Sequence, residues 1–315
     1  GPMRVQDSAR RVENAGFGEF WVPEDYYESG GLTSAALALA ATQTIPVGIG
    51  VLSVLTRHPA VIAMESGTLA SAFPDRFLAG LGTGLPQSIE SMQLAQPSPL
   101  RAVRESFEAI QALLDGELVS GSYGPHRLLD ARLAHAPTHR PPMLIGGLGP
   151  KMLELAGEIA DSVILSSLSS PAYVRWARHR IEAGALRAGR PSAPPIRVFA
   201  WYSIDEDRDL ARQAITPSVV SALGFIGPGP LTDADGFSEV LAEKLARRGP
   251  AALGQDFPST WIDQLVVAGD SADCEQAIQE RLDAGADSVV LCPTPAQGFD
   301  IMIDLTSTHI LSGPA

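Results

Sequence analysis

Two periods of apolar residues take turns along the chain. Stretches with apolar positions three and four apart alternate with short runs of β-branched and aromatic residues. The first period predicts a helix over residues 4–15, which Gly16 ends ahead of a short buried strand, Phe20–Val22. Further helices are predicted at Leu32–Thr42, Pro59–Phe73, Pro99–Leu114, Lys151–Ala160, Pro171–Ala188 and Ser271–Ala284, with a last one near 299–311. The strands between them are Pro46–Leu52, Phe77–Gly82, Met143–Ile145, Ser162–Leu165, Arg197–Ile204, Val266–Ala268 and Ser288–Leu291. Leu118–Leu133, with turns at Gly121, Gly124 and Pro125, reads as a hairpin or irregular insertion. Residues 205–260 read as mainly helical, broken by a turn-rich candidate mobile loop, Gly227–Gly236.

Such alternation demands a parallel sheet, because each crossover needs a helix to return the chain to the same sheet end. A doubly wound sheet would carry a glycine fingerprint after its first strand, and no G-x-G-x-x-G opens a helix there. The expectation is therefore a (β/α)8 barrel, forming one domain over 3–315, with its chemistry at the C-terminal ends of the strands. Gly1-Pro2 ahead of Met3 reads as the remnant of a cleaved tag.

Composition narrows the function classes. Lys+Arg number 23 against 36 Asp+Glu, a net charge of −13, which excludes a general electrostatic grip on nucleic-acid phosphates or anionic lipid. No run of 18 apolar residues or signal-peptide layout occurs, so a cytoplasmic protein off the membrane is expected. Cys274 and Cys292 belong to no Cys-x-x-Cys or Cys/His cluster, and are read as inert thiols in a reducing compartment with no metal site. Lys151 and Lys244 are the two lysines, so a lysine in a turn stands out.

Four strand ends carry candidate chemistry. After Phe20–Val22 come Glu24, Asp25, Tyr26 and Tyr27, two carboxylates and two phenols, although either acid could equally cap a turn. Gly50-Val51-Leu52-Ser53 ends the next strand ahead of Thr56, Arg57 and His58. There Arg57 could meet an anionic ligand, whereas His58 before Pro59 reads as a turn residue. Gly82-Thr83-Gly84 lets a flat or anionic ligand approach the backbone. In Gly147-Leu148-Gly149-Pro150-Lys151, free amides, a helix N-terminus and a lysine set against the helix dipole suit a bound phosphate.

At these residues the chain resembles the luciferase-like flavin and deazaflavin oxidoreductases, above all the coenzyme F420-dependent methylenetetrahydromethanopterin reductases and their actinobacterial relatives. The similarity is carried by Ala15-Gly16-Phe17, Arg57-His58-Pro59-Ala60, Asp75–Gly84, the run Gly149–Asp161, Tyr202–Asp205 and Val267 to Cys274. It implies a barrel of the bacterial-luciferase type with insertions, a homodimer, and a deazaflavin or flavin across the strand C-termini. It also implies a non-prolyl cis peptide at Gly50-Val51, a phosphate loop at Gly147-Leu148-Gly149 with Lys151, and a cofactor-side loop at Gly82-Thr83-Gly84. The family's first strand would precede residue 4 and is lacking. Glu24-Asp25 stand where relatives carry Asp-His, and Leu85 where deazaflavin enzymes carry an acid.

These departures weigh against pterin reduction and sugar-phosphate oxidation. The resemblance then implies an F420H2-dependent reductase that passes hydride to an imine or activated C=C of a small or peptide-derived biosynthetic intermediate; for it Glu24 or Asp25 is the expected acid, with Tyr26 or Tyr27 as hydrogen-bond donor. An FMN-dependent monooxygenase, a methylenetetrahydropterin reductase and a non-catalytic partner subunit are the alternatives. The loops expected to choose the substrate, 85–98, 118–140 and 227–257, hold no readable motif.

Overall fold

The computed structural model describes residues 2–250, 253–254 and 257–311. Its strands are β1 (Phe20–Val22), β2 (Val47–Ser53), β3 (Phe77–Gly82), β4 (Val119–Tyr123), β5 (His126–Ala131), β6 (Met143–Gly146), β7 (Ser162–Leu165), β8 (Ile196–Ile204), β9 (Val267–Gly269) and β10 (Ser288–Pro293). Its helices are α1 (Val5–Asn14), α2 (Gly31–Ala41), α3 (Pro59–Ala72), α4 (Pro86–Ser91), α5 (Pro99–Leu114), α6 (Pro150–Ile159), α7 (Pro171–Arg187), α8 (Arg208–Ile226), α9 (Pro230–Asp233), α10 (Ser238–Arg248), α11 (Ser259–Leu265), α12 (Ser271–Asp283) and α13 (Phe299–Thr306). None of the helices among the described residues is long and apolar enough to cross a membrane.

The chain forms two compact units. One runs to Gly147 and takes in Ile159–Val163; the other comprises Leu148–Glu158 and the chain from Ile164 on. In the first unit β1, β2, β3 and β6 follow one another in parallel, with β7 beginning beyond β6. Trp21 lies opposite Gly48 in the β1–β2 register, and a Cβ on Gly48 would stand 2.4 Å from the indole ring, so the glycine makes room for it. Arg76 closes the strand-entry side by donating to the carbonyls of Thr42 and Ile45 and to the Thr42 hydroxyl. The segment 118–133 forms an antiparallel hairpin, β4–β5, the first of the two readings its turn residues allow.

In the second unit β8 pairs in parallel with both β9 and β10. Helices α6 and α7 approach so closely that a Cβ on Gly157 would lie 2.0 Å from the Ile181 carbonyl oxygen, and one on Gly184 1.9 Å from that of Glu154. Glu154 faces Arg180 and Arg187 beside this crossing. Residues 227–236, expected as a turn-rich mobile loop, contain the short helix α9, where Thr232 bonds to Gly229 and Ser238. Cys274 is fully buried on α12 and burial pushes its thiol up to about 12, which keeps it protonated and unreactive at neutral pH.

Candidate active site

Helix α2 begins beside the residues that leave β1. Glu24 is buried, and its carboxylate accepts from the Gly31 amide at 3.2 Å, from Arg57, and from the Tyr26 hydroxyl at 3.3 Å. A negative group at a helix N-terminus is favoured there by the helix dipole, and the guanidinium offsets the loss of water. A Cβ on Gly31 would sit 2.8 Å from Ile49 and 3.2 Å from Glu24, so glycine is what lets the helix start against this carboxylate. The first of the two candidate acids is thus a capping, ion-paired acceptor, and Arg57 is taken up by it.

Asp25 faces a different environment. Its backbone closes a tight turn with Ser29, and among the described residues its carboxyl has no ion-pair or hydrogen-bond partner. Burial first, then the charges of Glu28 and Glu24, raise its pKa from the ordinary aspartate value. The folded chain therefore holds this proton over an interval where the unfolded chain has released it, and stability falls as pH rises through that interval. Asp25→Asn is expected to remove this fall. Urea midpoints taken from about pH 4 to 7 check it, and parallel profiles for the two chains would contradict it.

Tyr26 joins both sides of the site. Its hydroxyl lies 2.7 Å from Thr56 Oγ1, and the Thr56 hydroxyl also reaches the Ser53 carbonyl at 3.2 Å. Two proton arrangements satisfy these atoms: Tyr26 donates to Thr56 while Thr56 donates to Ser53, or Thr56 donates to Tyr26 while Tyr26 donates to Glu24. Burial, the main cause, raises the Tyr26 pKa, so the phenol stays protonated and remains a donor.

The end of β2 departs from regular pairing with β3 between Ile49 and Leu52, and the peptide between Gly50 and Val51 is cis, where the resemblance places it. Val51 fills the space beside Gly82, whose Cβ would come within 2.8 Å of the valine. The Ser53 hydroxyl donates to the Thr83 carbonyl at 2.7 Å. Gly84 follows at φ +79°, a left-handed conformation that favours glycine. Leu52 is buried. His58 caps α3 by accepting from the Ala60 amide at 3.2 Å, the turn role read from its position before proline.

Beyond β6 the chain turns through Gly147, Leu148 and Gly149 into α6. Among the described residues the amides of these three make no backbone hydrogen bond, while the Gly149 carbonyl accepts from Met152 and Leu153. The buried Tyr173 holds the turn by donating to the Leu148 carbonyl at 2.7 Å. A Cβ on Gly149 would meet nothing within 4 Å, and Lys151 is exposed in the first turn of α6. The donor set, free amides beside a helix N-terminus and an ammonium, matches a phosphate, and the open space leaves room for one.

Sequence reading missed three elements of this site: the α2 cap by Glu24, the Tyr26–Thr56 bond, and helix α4. The Glu24 contact crosses a seven-residue turn that no periodicity marks, the Tyr26–Thr56 bond joins residues 30 apart, and α4 has a single buried apolar residue, Ile89, to announce it.

A family model described as luciferase-like monooxygenase matches residues 1–288. A 5,10-methylenetetrahydromethanopterin reductase of Methanolobus tindarius is 30% identical over 91% of this chain and 89% of its own. An F420-dependent glucose-6-phosphate dehydrogenase of Nakamurella multipartita is 32% identical over 68% of this chain and 67% of its own. The solved structure of the coenzyme F420 dependent tetrahydromethanopterin reductase from Methanopyrus kandleri superposes with a TM-score of 0.86 at 24% identity, covering 99% and 95% of the two chains. Parallel strands alternating with helices, and likenesses that span almost the whole chain, meet in one conclusion: the protein belongs to the luciferase-like monooxygenase family and has its (β/α)-barrel class of fold.

Proposed function

We propose that this chain is an F420H2-dependent reductase acting on a C=N or activated C=C bond of a small molecule. The observation that carries the reading is the turn into α6, where unpaired amides, open space at Gly149 and the exposed Lys151 suit the phosphate of a deazaflavin cofactor. F420-dependent relatives support it. When bound, the reduced deazaflavin supplies a hydride.

The chain's own residues do the rest. Gly82 and Gly84 let Val51 and Ser53 pack directly against the end of β3, which fixes the Gly50-Val51 bulge in place. Asp25, with its raised pKa and no internal partner, holds the proton for the acceptor atom. Tyr26 can turn its one hydroxyl proton from Thr56 or Glu24 to the acceptor, and the Glu24–Arg57 pair fixes the loop that carries both.

Lys151→Ala is expected to weaken F420 binding about 10-fold or more, the effect of losing one charge-assisted phosphate contact. Lys151→Arg should retain most of the affinity, and a deazaflavin lacking the phosphate should bind both chains alike. Fluorescence titration checks this, and unchanged F420 affinity in Lys151→Ala would remove the phosphate from the turn.

A further inference from the structure

Tyr27 stands at the tip of the turn that Asp25 and Ser29 close, with φ +70°. Bulky side chains rarely adopt that left-handed conformation, which is strained for them. The residue is 81% exposed, so burial of its ring does not offset the cost. It is nevertheless held. Its hydroxyl lies 2.9 Å from Ser91 Oγ, and Ser91 sends its own proton to the Ser88 carbonyl at 2.9 Å, so the tyrosine is the donor.

The position of this bond gives it meaning. Tyr27 follows β1, Ser91 ends the helix that follows β3, and β2 lies between those two strands. The phenol therefore links the connections on either side of β2, at the strand end that carries the Gly50-Val51 bulge and Ser53. A ring fixed at both its backbone and its hydroxyl has already lost the freedom that stacking would otherwise remove, while its faces stay open.

We propose that Tyr27 is a specificity-determining residue, a preorganised platform on which a planar, conjugated hydride acceptor stacks. The proposal rests on the reductase reading above. It places aromatic or extended conjugated imines and enones ahead of small aliphatic ones.

The test compares two cyclic imines as probes, 3,4-dihydroisoquinoline and 1-pyrroline. Their binding is followed by calorimetry with the protein alone and with the protein saturated in oxidised F420, where no turnover occurs. The unsubstituted chain is expected to prefer the aromatic imine by about 10-fold or more, and Tyr27→Ala to bring that preference within about 3-fold while F420 affinity holds. Tyr27→Phe and Ser91→Ala each free one end of the ring and should lose a smaller, similar part of the preference, the double variant losing no more than either. A preference that survives Tyr27→Ala overturns the proposal, as does a loss of F420 affinity in that variant, which would put the ring against the cofactor. Failure of the unsubstituted chain to bind F420 overturns the reductase reading instead, and the titrations without cofactor still decide the role of Tyr27.

Discussion

Replacing Arg57 by alanine is expected to destabilise the protein by about 3–5 kcal/mol, the cost of leaving a buried charge without its partner. The Glu24 side chain is 2% exposed and that of Arg57 28%, so water can reach one partner and hardly the other. The lower end of the range is the better expectation for that reason. The Gly31 amide and the Tyr26 hydroxyl would remain as donors to Glu24, but neither carries charge. Adding Glu24→Gln removes the buried charge while keeping an oxygen for the Gly31 amide, and should restore most of the loss. Denaturant midpoints of the single and double variants test this. An Arg57→Ala chain as stable as the parent, or a double variant no better than Arg57→Ala, would show that the pair does not organise the loop.

The second large effect is expected where α6 crosses α7. Alanine at position 157 or 184 brings a gain in helix propensity of about 1 kcal/mol over glycine. Against this stands a Cβ placed 2.0 Å from the Ile181 carbonyl oxygen or 1.9 Å from that of Glu154, contacts that only a separation of the two helices relieves. Backbone cannot rotate aside as a flexible side chain can, so the clash wins, and a net loss of about 1–3 kcal/mol or more follows for each variant. Because both substitutions push the same two helices apart, the double variant should lose less than the sum. Thermal or denaturant unfolding reads the result, and a stabilised Gly157→Ala chain would contradict the packing.

These two sites show what the sequence made legible and what it did not. The alternation of periods placed β1, β3 and β7 at the bounds the structure has, because short runs of β-branched, aromatic and other apolar residues between helical stretches carry a local signal. Helices α4 and α9 escaped because each is short and buries few residues. The reason for Gly157 is the α7 carbonyl, which is contributed 24 positions later, at Ile181, and no local pattern announces it. The division into two compact units left no trace in composition, since no linker separates them.

The candidate site was legible in part. Periodicity located the strand ends, and the resemblance located the Gly50-Val51 cis peptide, which nothing in the local residue pattern announces. Glu24 and Asp25 are neighbours in sequence and could not be told apart there. In the fold one is turned to a helix N-terminus and a guanidinium, and the other to a half-buried position without a partner. Which carboxyl holds an exchangeable proton is thus a tertiary property. The same is true of Tyr27, which the sequence singles out beside Tyr26 but whose backbone conformation and bond to Ser91 only the fold shows.

The measurement that bears most directly on the account is titration of the purified protein with F420 and, separately, with FMN, followed by fluorescence. The account predicts F420 binding with a dissociation constant of about 1 μM and much weaker binding of FMN. Preference for FMN would contradict it and direct attention to oxygen chemistry, and binding of neither would contradict it in favour of a non-catalytic subunit.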